Sequence, residues 1–134
     1  MKLFISLLCL IAVATGSCTK NEVETEITLS EAVKSGDWMV LYFENNTSVD
    51  MGATFLKFQP LGKLVATKDG ATYTGTWTEA NAQNANTVTI NLTTTDVKLQ
   101  RTNRTWNVVK VSESLIDLQG ADAGSNITVQ LMKH

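Results

Sequence analysis

The stretch that most constrains the fold is residues 36–43, which read Gly-Asp-Trp-Met-Val-Leu-Tyr-Phe. Six consecutive large apolar residues follow Asp37. A short helical signal precedes this run, and a series of segments with alternating apolar and polar residues follows it. We therefore predict that residues 36–43 form the first strand of a small antiparallel barrel.

The first 17 residues have the pattern of an export signal. Lys2 supplies a positive start, and residues 3–13 form an apolar core that is too short to span a bilayer. Small residues then precede Cys18 and resemble the lipobox of bacterial lipoproteins, in which the signal peptide is cleaved before a cysteine that is then acylated. Ala12-Val13-Ala14 offers an alternative site for ordinary secretion. We predict a lipoprotein signal peptide at 1–17 and lipid attachment at Cys18.

Maturation at this position would leave a domain without cysteine chemistry. The chain has two cysteines, of which Cys9 would be removed and Cys18 acylated. Removing Lys2 leaves 10 basic and 13 acidic residues, with no cluster of lysines and arginines. A mildly acidic surface of this kind excludes nucleic acid as a partner, because that binding depends on clustered basic residues.

A polar segment and a short helix lead into the barrel strand. Residues 18–27 are mostly polar and acidic, which predicts a flexible tether. Thr28 and Glu31 have the spacing of a capping box, which predicts the start of a helix. Leu29, Ala32 and Val33 would share its apolar face, and Gly36 is placed to end it. The folded domain is then predicted at 28–134.

The remainder of that domain consists of short alternating segments. The clearest has Thr72, Thr74, Thr76 and Thr78 on one face and Tyr73, Gly75 and Trp77 on the other. Asp69-Gly70 predicts a tight hairpin, and the change of phase at Val108-Val109 predicts a β-bulge. Strands are predicted at 36–43, 54–59, 63–67, 72–78, 87–93, 97–99, 104–111, 115–119 and 127–131, with a polar loop at 80–86. This order predicts an all-β, up-and-down, antiparallel eight-stranded barrel with one short N-terminal helix.

These residues resemble the lipocalin-like (calycin-like) lipoproteins of Gram-negative bacteria. The resemblance rests on a short helix running into Gly36-x-Trp38, a second Gly-x-Trp at 75–77, and the later Trp106. It implies that Trp38 packs at the closed end of the barrel beneath a stacked arginine. Arg101 and Arg104 are the candidates for this cation, although neither lies on the last predicted strand. Thr95-Asp96-Val97 is what matches the loop motif of that family, and the resemblance implies a small apolar ligand.

Catalysis and metal binding have little support in the sequence. The one histidine, His134, is the last residue, so no nucleophile–histidine pair is expected inside the domain. The spacing of metal-ligating residues is absent, and the carboxylates are scattered. We therefore expect neither an enzyme nor a bound metal or cofactor.

Two functions remain open. In the first, an outer-membrane lipoprotein of the Gram-negative envelope binds a small hydrophobic ligand, with Tyr42, Tyr73 and Trp77 lining the site for it or for a carbohydrate. In the second, the aromatic residues fill the barrel, which acts as a structural or protein-interaction module of the envelope with an unknown partner. An unfilled apolar pocket of about 300 Å³ or more would favour the first function, and an outward apolar patch of more than a few hundred Å² would favour the second.

Overall fold

The computed structural model describes residues 27–82 and 85–134. The predicted signal peptide, Cys18 and the tether as far as residue 26 lie outside the described residues. Within the described ranges, no helix is long and apolar enough to cross a membrane.

The domain is a closed antiparallel barrel, which confirms the predicted fold class. From β3 to β9 the strands pair in chain order, and β1 pairs with both β3 and β9 and so closes the sheet. The short β2 and the start of β3 share one edge of β1, so the wall has eight strands: β1 and β3 to β9. The elements are α1 (Leu29–Ala32), β1 (Trp38–Glu44), β2 (Thr47–Val49), β3 (Thr54–Gln59), a 3₁₀ turn (Pro60–Gly62), β4 (Lys63–Lys68), β5 (Ala71–Ala82), β6 (Ala85–Leu92), α2 (Val97–Gln100), β7 (Arg104–Val111), β8 (Leu115–Gly120) and β9 (Ile127–Lys133).

Several local predictions are confirmed. Thr28 and Glu31 form the reciprocal hydrogen bonds of a capping box at the start of α1. Asp69 and Gly70 both have positive φ in the turn between β4 and β5. The register of β7 against β8 shifts between Val108 and Lys110, where the bulge was predicted.

Other local predictions are wrong. Residues 97–99 belong to a helix rather than a strand. The Asp96 side chain accepts hydrogen bonds from the backbone N–H groups of Lys98 and Leu99 and so caps the start of this helix. Within 80–86, the described residues belong to the ends of β5 and β6 rather than to a loop. Helix α1 ends at Ala32, four residues before Gly36.

Strand β2 has no counterpart in the predicted strands. It pairs with β1 through a turn in which Asn45 and Asn46 both have positive φ, at 50° and 61°. Asparagine tolerates this backbone region better than most residues, and so a pair of asparagines forms a hairpin turn here.

The interior of the barrel is packed with side chains. Alternate residues of each strand point inward, and the largest are fully buried: Trp38, Tyr42, Leu56, Leu64, Trp106, Ile116, Leu118 and Leu131. We call α1 and the two residues that follow it (29–34) the α1 segment. Its Leu29, Ala32 and Val33 join this core at the end where β1 begins, which we call the α1 end. Leu99 of α2 and Met51 join it at the opposite end. Both ends of the barrel are therefore covered by residues that pack onto its core.

Candidate functional site

The candidate site is an apolar cleft at the α1 end. It lies between the α1 segment, the turn that follows β3, and the middle of β5, and it encloses about 250 Å³. Its walls are formed by Ser30, Val33, Lys34, Phe58, Gln59, Pro60 and Trp77. Most of the surface that these residues present to the cleft is carbon, so an apolar molecule fits it better than a polar one.

Two aromatic rings fix the shape of one wall. Phe58 and Trp77 lie edge to face, with ring centroids 5.4 Å apart and an interplanar angle of 88°. The indole N–H of Trp77 donates to the Gln59 carbonyl oxygen at 3.0 Å. The polar edge of the indole is therefore satisfied by the barrel, and its ring stays half-buried at the cleft.

The opposite wall is the α1 segment. A four-residue helix does not persist without tertiary contacts, and α1 has two kinds of support. The first support is the capping box, which holds the first turn. In it the Thr28 backbone N–H donates to the Glu31 carboxylate, which keeps the pKa of the Glu31 side chain below its usual range. Its Ser30 hydroxyl donates to Glu79 of β5 at 2.5 Å, which ties the helix to the strand that carries Trp77.

Polar groups lie at the rim of the cleft. Lys34 is exposed and lines it, so it places a flexible ammonium group beside the apolar walls. Such a group pairs with the carboxylate or other anionic end of a ligand whose remainder is apolar.

The predicted lining residues separate in the structure. Trp77 lies in the wall of the cleft. Tyr42 is 1% exposed inside the barrel, where it meets Trp106 edge to face, and burial raises the pKa of its phenol. Tyr73 packs half-buried against the core and is not among the residues of the cleft wall. The structure therefore brings only Trp77 of the three to the candidate site.

Trp38 is fully buried at the start of β1, but neither predicted arginine stacks on it. The guanidinium of Arg101 lies over Tyr42 and that of Arg104 over Trp106. The cation above Trp38 is Lys133 of β9, with Nζ 5.9 Å from the ring centroid. The sequence contained a signal for it, because Lys133 continues the inward alternation of residues 127, 129 and 131 on the last strand.

The Thr95-Asp96-Val97 segment serves a structural role at the far end of the barrel. Asp96 caps α2 and also pairs with Lys68 at 3.0 Å. Hydrogen bonds from Lys68 and from the α2 backbone keep the pKa of the Asp96 carboxyl below its usual range.

A second, polar groove lies on the other side of α1. It encloses about 460 Å³ between Ile27, Glu31, Ala32, Ser35, Glu113 and Lys133. Across residues 27–82 and 85–134, histidine, cysteine and acidic side chains form no group of three or more that could hold a metal ion.

No protein-family model and no curated protein matches this chain. Among solved structures, the chain is similar to a lipocalin-like protein from Bacteroides uniformis, with 21% sequence identity and a TM-score of 0.56. The similarity covers 77% of this chain and 99% of that protein. It supports the lipocalin-like form of the barrel.

Proposed function

We propose that this lipocalin-like barrel binds a small apolar ligand in the cleft at the α1 end and is anchored in the Gram-negative cell envelope by lipid on Cys18. The observation that carries the ligand-binding proposal is the apolar cleft of about 250 Å³ between α1, Phe58 and Trp77. The anchor is supported by the sequence pattern around Cys18.

The cleft is a better candidate than the barrel lumen. An eight-stranded barrel is only just wide enough to be filled by side chains or to hold one small ligand. Here Trp38, Tyr42 and Trp106 lie in its interior with almost no solvent exposure. Binding in the lumen would require these large rings to move, whereas binding in the cleft requires none of them to do so.

The size and lining of the cleft define the ligand class. An apolar cavity of about 150 Å³ holds benzene. A cleft of about 250 Å³ therefore suits a larger group, such as a bicyclic ring or a short branched acyl chain. Because Lys34 is at the rim, we propose that the ligand carries an anionic group at one end.

A second function remains, favoured by the same packed interior. A barrel that is filled with its own side chains can serve as a rigid interaction module of the envelope. The two functions differ in whether the cleft has an occupant.

Titration with anilinonaphthalene sulfonate tests the ligand proposal, because this probe combines a bicyclic ring with an anion. Trp77 is the half-buried tryptophan, while Trp38 and Trp106 are 0% exposed, so bound probe should quench Trp77. Lys34→Ala should weaken binding severalfold. The matched control is Lys57→Ala, at an exposed lysine on the outer face of β3, which should bind as the wild type does.

The natural ligand is sought by native mass spectrometry of the protein purified from its own host. A reproducible extra mass that leaves on mild activation would support a carrier and identify its cargo. Probe binding that survives both Lys34→Ala and Trp77→Ala unchanged would contradict the cleft as the site and favour the interaction module.

A further inference from the structure

Strand β1 is apolar on both faces, which is unusual for a barrel of this kind. Its inward residues alternate with Met39, Leu41 and Phe43, which point outward and are half-buried. The outer face of an antiparallel sheet is normally polar where it meets water. Strand β5 is closer to that rule, because four exposed threonines lie on its outer face, at 72, 74, 76 and 78.

The outward apolar residues continue across neighbouring strands. Strand pairing aligns Leu115 with Met132, Met132 with Met39, and Met39 with Phe55. We call these four residues the apolar row. All four are partly accessible to solvent, and Met132 is 41% exposed.

The row ends where the next strands become polar. The same cross-strand line continues from Phe55 to Thr67 of β4 and then to Thr72 of β5. Along this line, the apolar side chains are thus confined to β8, β9, β1 and β3.

The N-terminal segment meets the domain beside this row. Ile27 lines the polar groove together with Glu113 and Lys133. Lys133 directly follows Met132, and Glu113 lies two residues before Leu115. The chain that leads back to Cys18 therefore meets the barrel at the α1 end, next to the ends of β8, β9 and β1 that carry the apolar row.

The length of that segment limits the distance to a lipid anchor. Eight residues lie between position 18 and Ile27, and the nine residue-to-residue steps span at most about 30 Å when fully extended. An anchored domain would remain within this distance of a bilayer. Because tethering raises the effective concentration, the bilayer would be the apolar surface that the row meets most often.

We propose that the apolar row is a membrane-facing surface that rests on the bilayer beside the lipid anchor. This inference rests on the proposed acylation of Cys18. Methionine, leucine and phenylalanine side chains suit shallow insertion at the boundary between headgroups and acyl chains. The polar β5 side of the barrel would then face away from the membrane.

Two single-cysteine variants of the full-length lipoprotein test this orientation. Met132→Cys places a thiol in the row. Thr72→Cys is the control: it lies on the same cross-strand line but on β5, which is four strands from β9 in either direction round the barrel. Both positions are exposed, so substitution and labelling should leave the fold intact. Each acylated variant has a single free thiol, because Cys9 is removed and Cys18 is blocked.

Each thiol is labelled with an environment-sensitive fluorophore in vesicles of phosphatidylethanolamine and phosphatidylglycerol that contain a lipid-borne quencher. We expect quenching severalfold stronger at position 132 than at position 72. Equal quenching at the two positions in acylated protein would overturn the membrane-facing row. If the fluorophore at position 132 is shielded from water but not quenched by the lipid, and the protein has the mass of a dimer, the proposal would be overturned. The row would then be covered by a second copy of the chain.

The intact mass of the same samples separates this inference from the proposed anchor. An unacylated mass would overturn both, whereas an acylated mass with equal quenching overturns the orientation alone. Binding of the naphthalene probe in the cleft is measured independently, so a failure of the ligand proposal remains distinguishable.

Discussion

The ammonium group of Lys133, at the end of the last strand, lies 5.9 Å from the centre of the Trp38 indole, at the beginning of the first strand. The two strands pair directly, with Trp38 opposite Lys133. The side chain of Lys133 also passes so close to Gly36 that a Cβ on that glycine would lie 2.9 Å from Cε. The Gly-x-Trp sequence therefore places a buried ring and leaves room for the cation that covers it.

This arrangement predicts unequal roles for the two side chains. Trp38→Ala should lower the free energy of unfolding by about 3–5 kcal/mol, because it leaves a large cavity in a packed core. Lys133→Met should cost only about 0.5–1 kcal/mol, since the ammonium is exposed and cation–π contacts are weak at such sites. Urea unfolding monitored by circular dichroism would measure both.

Trp38→Phe is the matched control for the size of the ring. Among the contacts of the described residues, the Trp38 indole N–H has no hydrogen-bond partner. Phenylalanine removes this buried donor and retains most of the packing, so its cost should be well below that of alanine. A near-neutral Trp38→Ala would contradict the role of this residue in the core.

The sequence predicted the barrel wall well because the pattern of alternation follows directly from strand geometry. Thr72, Thr74, Thr76 and Thr78 are exposed, as their spacing indicates, while Val88, Ile90 and Leu92 are buried. Alternation needs only a solvated face and a packed face, and both are local consequences of the pleat.

Helix α2 and the cleft depend on information that alternation does not contain. Val97 and Leu99 have the spacing of a strand, but the Asp96 cap and the ion pair with Lys68 favour a helical turn. The cleft depends on how α1 packs against Phe58 and Trp77, which are distant from it in sequence. No local pattern identifies such a meeting, and so only Trp77 was anticipated as a lining residue.

Gly75, in the second Gly-x-Trp, should be intolerant of alanine. It lies where β5 pairs with both neighbours, opposite Leu64 of β4 and Leu92 of β6. A Cβ at this position would collide with the Asn91 carbonyl oxygen and lie 2.7 Å from the Leu92 Cα. Because backbone atoms cannot move aside as side chains do, Gly75→Ala should destabilise the protein by about 1–3 kcal/mol or more in urea unfolding.

The control for that substitution is Thr74→Ala, at the adjacent outward and exposed position. It should change the free energy of unfolding by no more than about 0.5 kcal/mol, as surface substitutions usually do. Equal stability of the two variants would contradict the close strand contact at Gly75.

Cys18→Ala tests the proposed anchor. If Cys18 carries the acyl chains, the substitution should move the protein from the membrane fraction to the soluble fraction, because lipid chains supply most of the membrane affinity. Fractionation followed by immunoblotting measures this shift, with Ser17→Ala as the control that leaves the cysteine in place. Membrane association of Cys18→Ala at the wild-type level would contradict lipid anchoring at this residue.

The capping residue Asp96 should make stability depend on acid pH. Its pKa is lowered first by Lys68 and then by the backbone N–H groups of α2, so it lies below the value of about 3.9 expected in the unfolded chain. The stabilisation is therefore complete above about pH 4 and is lost as the pH falls through the lower, folded-state pKa. Asp96→Ala should cost about 0.5–2 kcal/mol at neutral pH through loss of the cap.

Asp96→Asn separates the cap from the charge. Asparagine caps helices nearly as well as aspartate, but it does not form the ion pair with Lys68. The wild type should therefore exceed this variant in stability at neutral pH, and the difference should vanish in acid as Asp96 becomes protonated. Urea unfolding at a series of pH values would measure it, with Asp122→Asn, whose contact with Arg104 is long and exposed, as the control. A difference that does not change with pH would mean that the Asp96 charge makes no contribution to the folded state.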